Sequence, residues 1–265
     1  MYSSVETVFK YIYYWLSASN GKGHGTHSPF VFDLITKVLN DRTRYPEYKI
    51  VEELRKRMIA DKRVLQYEDP GAGSSMTIGT ERKVSTIAQH AAKPPKLGQL
   101  LFRMVRHYQP KVILELGTSL GITTSYLKLG NPRSELFSIE GAAPVADIAR
   151  QNLENLSAGH FKIINANFDE ELGSLLQKTD DPDLVFIDGN HRQEPTVKYF
   201  RQLLPYVKDE TMLIFDDIHW SREMERAWAN IKEDPRVTCT IDLYFLGIVL
   251  FRPQFREKQD FKIRF

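Results

Sequence analysis

Residues Val112-Ile-Leu-Glu-Leu-Gly-Thr-Ser-Leu-Gly-Ile-Thr-Thr124 decide the fold: a short apolar run breaks into a turn with two glycines and then into a helix start. Around this stretch the chain alternates β-rich runs with helix-period segments. The runs are Lys111–Leu116, Glu135–Ile139, Phe161–Asn165, Asp183–Asp188 and Thr211–Phe215, then Thr238–Leu243 and Gly247–Phe251. Between them Val145, Ile148, Ala149, Leu153 and Leu156 recur at helical spacing. So do Met224, Ala227, Trp228 and Ile231, behind Ser221 as a candidate N-cap. Right-handed crossovers between such strands build a parallel, doubly wound α/β sheet. The last two runs stand too close for a crossover helix, so their spacing predicts a terminal antiparallel hairpin.

Upstream, Leu97, Leu100, Leu101, Met104, Val105 and Tyr108 predict a helix led in by Pro94-Pro95. Residues 1–92 read as a mostly helical extension ahead of a domain over 93–265, with glycine-rich breaks at Gly21–Gly25 and Asp69–Ser74. The stretch Gly21 to Pro29, with His24 and His27, reads as a mobile lid. The aromatic residues Tyr2, Phe9, Tyr11, Tyr13, Tyr14 and Trp15 fit a helix packed on the core or a contact between two copies, and alternatively the lining of an acceptor pocket.

Composition narrows the function classes. With 42% hydrophobic and 11% aromatic residues among 265, the chain can bury a core. Thirty-six Lys plus Arg against 34 Asp plus Glu leave a net charge of +2, which does not advertise a nucleic-acid partner. The lone cysteine, Cys239, excludes an internal disulfide and fits a reducing cytoplasm. The run Tyr11–Leu16 is far short of the roughly 20 residues of a membrane span. A soluble, cytoplasmic protein is expected.

In a doubly wound sheet, ligands bind at the carboxyl ends of strands, where glycines let them approach the backbone; Gly117 and Gly121 stand at such a point. Twenty-three residues after Gly117, Glu140-Gly141 ends the next strand, where a carboxylate can accept hydrogen bonds from both ribose hydroxyls. The pair points to an adenosine-containing cofactor. Gly117-Thr-Ser-Leu-Gly121 is not the GxGxxG of a dinucleotide site, and Glu115 would repel a pyrophosphate while suiting an ammonium. Asp188, His191, Asp216, Asp217 and His219 all follow strand ends, a high density of titratable groups. His219 alternatively packs beside Trp220.

At these residues the sequence resembles the class I S-adenosylmethionine-dependent methyltransferases, and within them the O-methyltransferases similar to catechol and caffeoyl-coenzyme A types. The likeness runs over roughly Lys93 to Phe251 and rests on Glu115–Gly121, Glu140, Asn165-Ala-Asn-Phe168, Val185–His191 and Leu213–His219. It implies a Rossmann-like sheet of seven strands ending in the hairpin. It also implies S-adenosylmethionine held by Glu115, Gly117, Thr118, Ser119, Gly121, Glu140, Gly141, Asn167 and Phe168, and methyl transfer to an oxygen of a small molecule. In metal-dependent relatives a divalent ion, Mg or Ca, is held by two aspartates and an asparagine. Asp188, Asp216 and Asp217 fall on those positions, with Asp where the pattern has Asn. Metal-free relatives use a histidine as base, and Asp188-Gly-Asn-His191 resembles theirs, making Asp188 and His191 the catalytic candidates. That segment also lacks the Asn/Asp-Pro-Pro-aromatic tetrapeptide of enzymes that methylate nucleic-acid bases. Two rival readings share the donor residues: a nicotinamide-dinucleotide dehydrogenase, which Glu115 and the hairpin oppose, and a non-catalytic adenosyl-binding or assembly module.

Overall fold

A computed structural model describes residues 2–19, 21–23, 28–66, 81–90 and 93–265. His24, His27 and the Asp69–Ser74 break lie outside the described residues. The chain forms two compact units, one of residues 41–171 and one of residues 1–40 with 172–265. Residues 1–40 supply α1 (Ser4–Ser17) and α2 (Pro29–Asp33), which continues into a π-helical stretch, Leu34–Leu39. Helix α1 starts in a capping box: the Ser3 hydroxyl accepts from the Glu6 amide, and the Glu6 carboxylate accepts from the Ser3 amide.

Residues 41–171 run through α3 (Pro46–Ala60), β1 (Val64–Gln66), β2 (Glu81–Lys83), α4 (Val84–His90), α5 (Pro95–Tyr108), β3 (Val112–Leu116), α6 (Ile122–Gly130), β4 (Glu135–Glu140), α7 (Ala143–Asn155) and β5 (Phe161–Asn165). At the end of this unit α8 begins (Phe168–Lys178). Strands β3, β4 and β5 are parallel neighbours in that order, as the runs separated by helices predict. Strand β3 is buried along its whole length, which explains its unbroken apolar run apart from Glu115. Val51, Leu54, Val84, Phe102, Leu120, Tyr126, Val145 and Ile148 form the unit's main core. The antiparallel pair β1–β2 adds two short strands to the region that reads as mostly helical: three-residue strands are too short for apolar periodicity to reveal.

Residues 172–265 add β6 (Leu184–Ile187), α9 (Gln193–Leu203), β7 (Met212–Asp216), α10 (Arg222–Glu233), β8 (Cys239–Asp242), β9 (Leu246–Leu250) and β10 (Gln259–Lys262). Ser221 caps α10 as expected, its hydroxyl accepting from the Met224 amide. β6 and β7 are parallel, β9 is antiparallel to β7, and β8 pairs antiparallel with β9, so the predicted hairpin is present. β10 then lies parallel to β8, from Gln259 opposite Cys239 to Lys262 opposite Asp242. Strands β3 to β10 therefore number eight, one more than the seven expected. Gln259 to Lys262 alternate in burial along this added strand. Among the described residues no helix is long and apolar enough to cross a membrane.

Helix α5 crosses α6 where Gly98 meets the ring of Tyr126. A Cβ on Gly98 would stand 2.5 Å from two ring carbons of that fully buried side chain. In contrast, a Cβ on Gly173, inside α8, meets nothing within 4 Å. Gly98→Ala should destabilise the protein by about 1–3 kcal/mol through overpacking. Gly173→Ala should stabilise it by roughly 0.5–1 kcal/mol through helix propensity. Urea midpoints at constant slope check both signs.

Candidate functional site

The turn after β3 is held in conformations that its residues dictate. Gly117 and Gly121 have φ of 103° and 78°, and Ser119 lies between them at 49°, three left-handed positions within five residues. At Gly121 a Cβ would also meet Leu153 Cδ1 at 2.9 Å and the Ala149 Cα at 3.2 Å, so α7 packs against the bare backbone here. The amides of Gly117 and Thr118 donate to the Ile139 carbonyl, tying the turn to the end of β4.

Glu140 stands at that end. Its Oε2 accepts from the Ser119 amide at 2.8 Å and its Oε1 from the Ala142 amide at 3.0 Å. The carboxylate is thus fixed beside the glycine turn. The Glu140 main-chain carbonyl accepts from the Ala166 amide and the Asn165 side chain, which also reaches the Gly141 carbonyl. This brings the turn after β5 alongside. There Asn167 caps α8, its side-chain oxygen accepting from the Asp169 amide, and half-buried Phe168 begins the helix. The unit therefore gathers Gly117, Thr118, Ser119, Gly121, Glu140, Gly141, Asn167 and Phe168 around three successive strand ends.

Glu115 is placed beneath the turn and is fully buried. Its Oε2 accepts from Thr124 Oγ1 and Ser138 Oγ, each at 2.6 Å. Ser138 Oγ also lies 2.5 Å from Thr118 Oγ1. Because Ser138 gives its only hydroxyl proton to Glu115, Thr118 is the donor in that contact. Thr118, Ser138, Glu115 and Thr124 thus form one chain of hydrogen bonds tying together the turn, β4, β3 and α6. Ser138 and Thr124 were not singled out in the sequence; a serine inside the apolar run Leu136–Ile139 was the available signal.

In the other unit, Asp188 follows β6 and Asp216 ends β7. Among the described residues, Asp188, His191 and Asp216 form a group whose ligand atoms all lie within 4.8 Å of one another. His191 Nε2 is 3.4 Å from Asp188 Oδ1. Between them Asn190 adopts a left-handed φ of 61°, and its Nδ2 donates to the buried Tyr199 hydroxyl on α9 at 2.5 Å, holding the loop in shape. Of the expected set Asp188, Asp216 and Asp217, this group holds Asp188 and Asp216; Asp217 is not part of it. It has a left-handed φ of 53°, and its amide donates to the Phe245 carbonyl, so the chain leaves the strand direction directly after Asp216. His191 takes the third place.

The geometry also reveals a network that no local motif marks. His219 bonds Glu225 Oε1 through Nδ1 (3.2 Å) and Asp242 Oδ2 through Nε2 (2.8 Å), and its ring stacks on Tyr244. Glu225 also accepts from Lys10 Nζ at 2.8 Å and from the Tyr2 hydroxyl at 2.5 Å, fastening α1 to α10. More than 200 residues separate these partners along the chain.

Residues 114–218 match a family model described as a methyltransferase domain. Over that stretch the chain is similar to methyltransferase domains. No curated protein is matched by sequence. Among solved structures, the fold is similar to that of an SAH-bound methyltransferase, PaMTH1, from Podospora anserina (TM-score 0.60, 14% identity, 95% of this chain and 98% of that one). It is also similar to an O-methyltransferase from Bacillus cereus in complex with SAH (0.55, 18%, 81% and 95%). A third is the O-methyltransferase TomG from Streptomyces achromogenes, involved in tomaymycin synthesis, in complex with SAM (0.53, 20%, 61% and 82%). At these identities the likeness is one of fold, and it is the α/β, Rossmann-like class expected from the sequence.

Two measurements test this geometry. Ser138→Ala strips the buried Glu115 of one donor and should cost about 1–3 kcal/mol in urea unfolding. The second uses pH. Burial opposes charge on Glu225, but hydrogen bonds from Lys10, Tyr2 and His219 outweigh it and hold its carboxyl below the ordinary value. A carboxyl depressed in the folded state stabilises above its unfolded pKa of about 4.3 and loses that contribution as pH falls through the lower folded value. Lys10→Met should therefore flatten the decline of the urea midpoint between about pH 5 and pH 2.

Proposed function

We propose that the protein transfers a methyl group from S-adenosylmethionine to an oxygen of a small molecule. The observation that carries this reading is the Glu140 carboxylate, fixed by the Ser119 and Ala142 amides beside a left-handed glycine turn. An acid so placed suits the two ribose hydroxyls of an adenosyl donor. The glycine turn and Thr118 would take the methionine end of the donor, and Gly141, Asn167 and Phe168 would flank its adenine. Glu115, buried under the turn, would act by keeping Thr118 in place. The SAH- and SAM-bound relatives support the same donor.

Transfer is an in-line displacement: the acceptor oxygen forms a bond to the methyl carbon, the carbon–sulfur bond breaks, and its electron pair stays on sulfur. The hydroxyl proton must leave the acceptor, and we assign it to His191. Asp188 Oδ1 stands 3.4 Å from Nε2, and a proton held on Nε2 toward that carboxylate would leave Nδ1 to act as the base. A second reading rests on the Asp188, His191 and Asp216 group, which fits a divalent cation. Its one imidazole and two carboxylates suit a transition metal better than Mg or Ca, which favour oxygen ligands. When bound, such an ion would lower the pKa of an acceptor hydroxyl.

Glu140→Ala should weaken S-adenosylmethionine binding by about 2–4 kcal/mol in calorimetry as hydrogen bonds to the ribose are lost, and unchanged affinity would contradict the role. His191→Ala should cut turnover about 10²–10⁴-fold with donor affinity intact. Assays over phenols, sugars and acids should include chelator and added-cation arms: activity abolished by chelator and restored by one cation selects the second reading. A nicotinamide dinucleotide that raises the melting temperature where S-adenosylmethionine does not would favour a dehydrogenase.

A further inference from the structure

Helix α1 has one face fastened to its own unit and the other uncovered. Toward the unit, Tyr14 is buried with Ala18 and Tyr244, its hydroxyl bonding the Ile263 carbonyl, while Lys10 is bound to Glu225. On the remaining surface Val5, Val8, Phe9, Ile12, Tyr13, Trp15 and Leu16 are each between 48% and 71% exposed. Single exposed apolar residues are ordinary, but seven on a fourteen-residue helix make a continuous patch. Phe245, also exposed, extends it, with its ring 6.1 Å from that of Tyr11.

We propose that this face is where a second copy of the chain docks, helix against helix, to form a homodimer. Three features favour that occupant. Val5, Phe9, Ile12 and Leu16 follow one another at steps of four, three and four, the period at which two identical helices interlock their side chains. Seven large side chains at this exposure present on the order of 800 Å², about what each partner contributes to a stable interface. The helix has only two charged residues. Glu6 is engaged in the capping box, Lys10 in the pair with Glu225, and Arg264, over the Trp15 ring, in a bond to the Trp15 carbonyl, so the basic residues beside the stripe are already engaged rather than arrayed for an anionic lipid surface. The docked side of α1 reaches the loop after β7 through Glu225 and His219, so the dimer helix would also brace the loop that follows Asp216.

The proposal is independent of the methyl-transfer reading and is tested on the full chain without cofactor. Sedimentation equilibrium over a micromolar concentration series should give the dimer mass for the wild type. Phe9→Lys combined with Ile12→Lys should weaken association at least tenfold with the melting temperature of the monomer fold retained. If that pair fails to fold, Val8→Glu serves as the second variant with the same expected loss. A wild type that is monomeric throughout, or a dimer that a folded variant leaves unchanged, overturns the proposal. So does a monomeric wild type that cosediments with phosphatidylcholine–phosphatidylglycerol vesicles, which would assign the face to lipid.

Discussion

A carboxylate buried in the middle of an apolar strand is the constraint on which the candidate donor site depends. Glu115 has no exposed surface, and a buried charge is tolerated only when hydrogen bonds replace its water. Two of those bonds come from Thr124 on α6 and Ser138 on β4. Satisfying one acid therefore fixes β3, β4 and α6 relative to one another. Ser138 passes the constraint on to Thr118, inside the glycine turn. The turn is thus shaped from below by an acid that does not reach the surface.

The upper side of the turn is set by Glu140, which bonds the Ser119 and Ala142 amides and so borrows backbone donors from both neighbouring loops. Two acids of opposite environment do complementary work here. Glu115 gives up solvent to organise the framework, whereas Glu140 is only partly buried and keeps its carboxylate at the strand ends. Left-handed backbone at Gly117, Ser119 and Gly121 costs little at the two glycines, and at Ser119 it is offset by the hydrogen bond that its amide donates to Glu140 Oε2.

In the other unit, charge serves a different purpose. His219 is bracketed by Glu225 and Asp242, one carboxylate at each ring nitrogen. Glu225 in turn gathers Lys10 and Tyr2 from the amino terminus. Polar bonds thus hold one side of α1, while its other side displays Phe9, Ile12 and Leu16. The helix thus turns a large part of its apolar surface outward.

The sequence by itself determined the α/β class, the strand positions from Val112 to Leu250, the terminal hairpin and the glycine turn. These follow from local rules: apolar periodicity, loop length and the conformations open to glycine. Only the tertiary structure decided the rest. Strand β10 exists because Gln259–Lys262 finds β8 beside it, and its alternating charge gives no apolar signal. His191 joins Asp188 and Asp216 in place of Asp217 because a left-handed residue turns the chain aside directly after β7. The bond between Lys10 and Glu225 joins residues 215 positions apart, a distance across which no spacing rule operates. Where a partner is chosen by the folded chain rather than by its neighbours in sequence, only the packed molecule can name it.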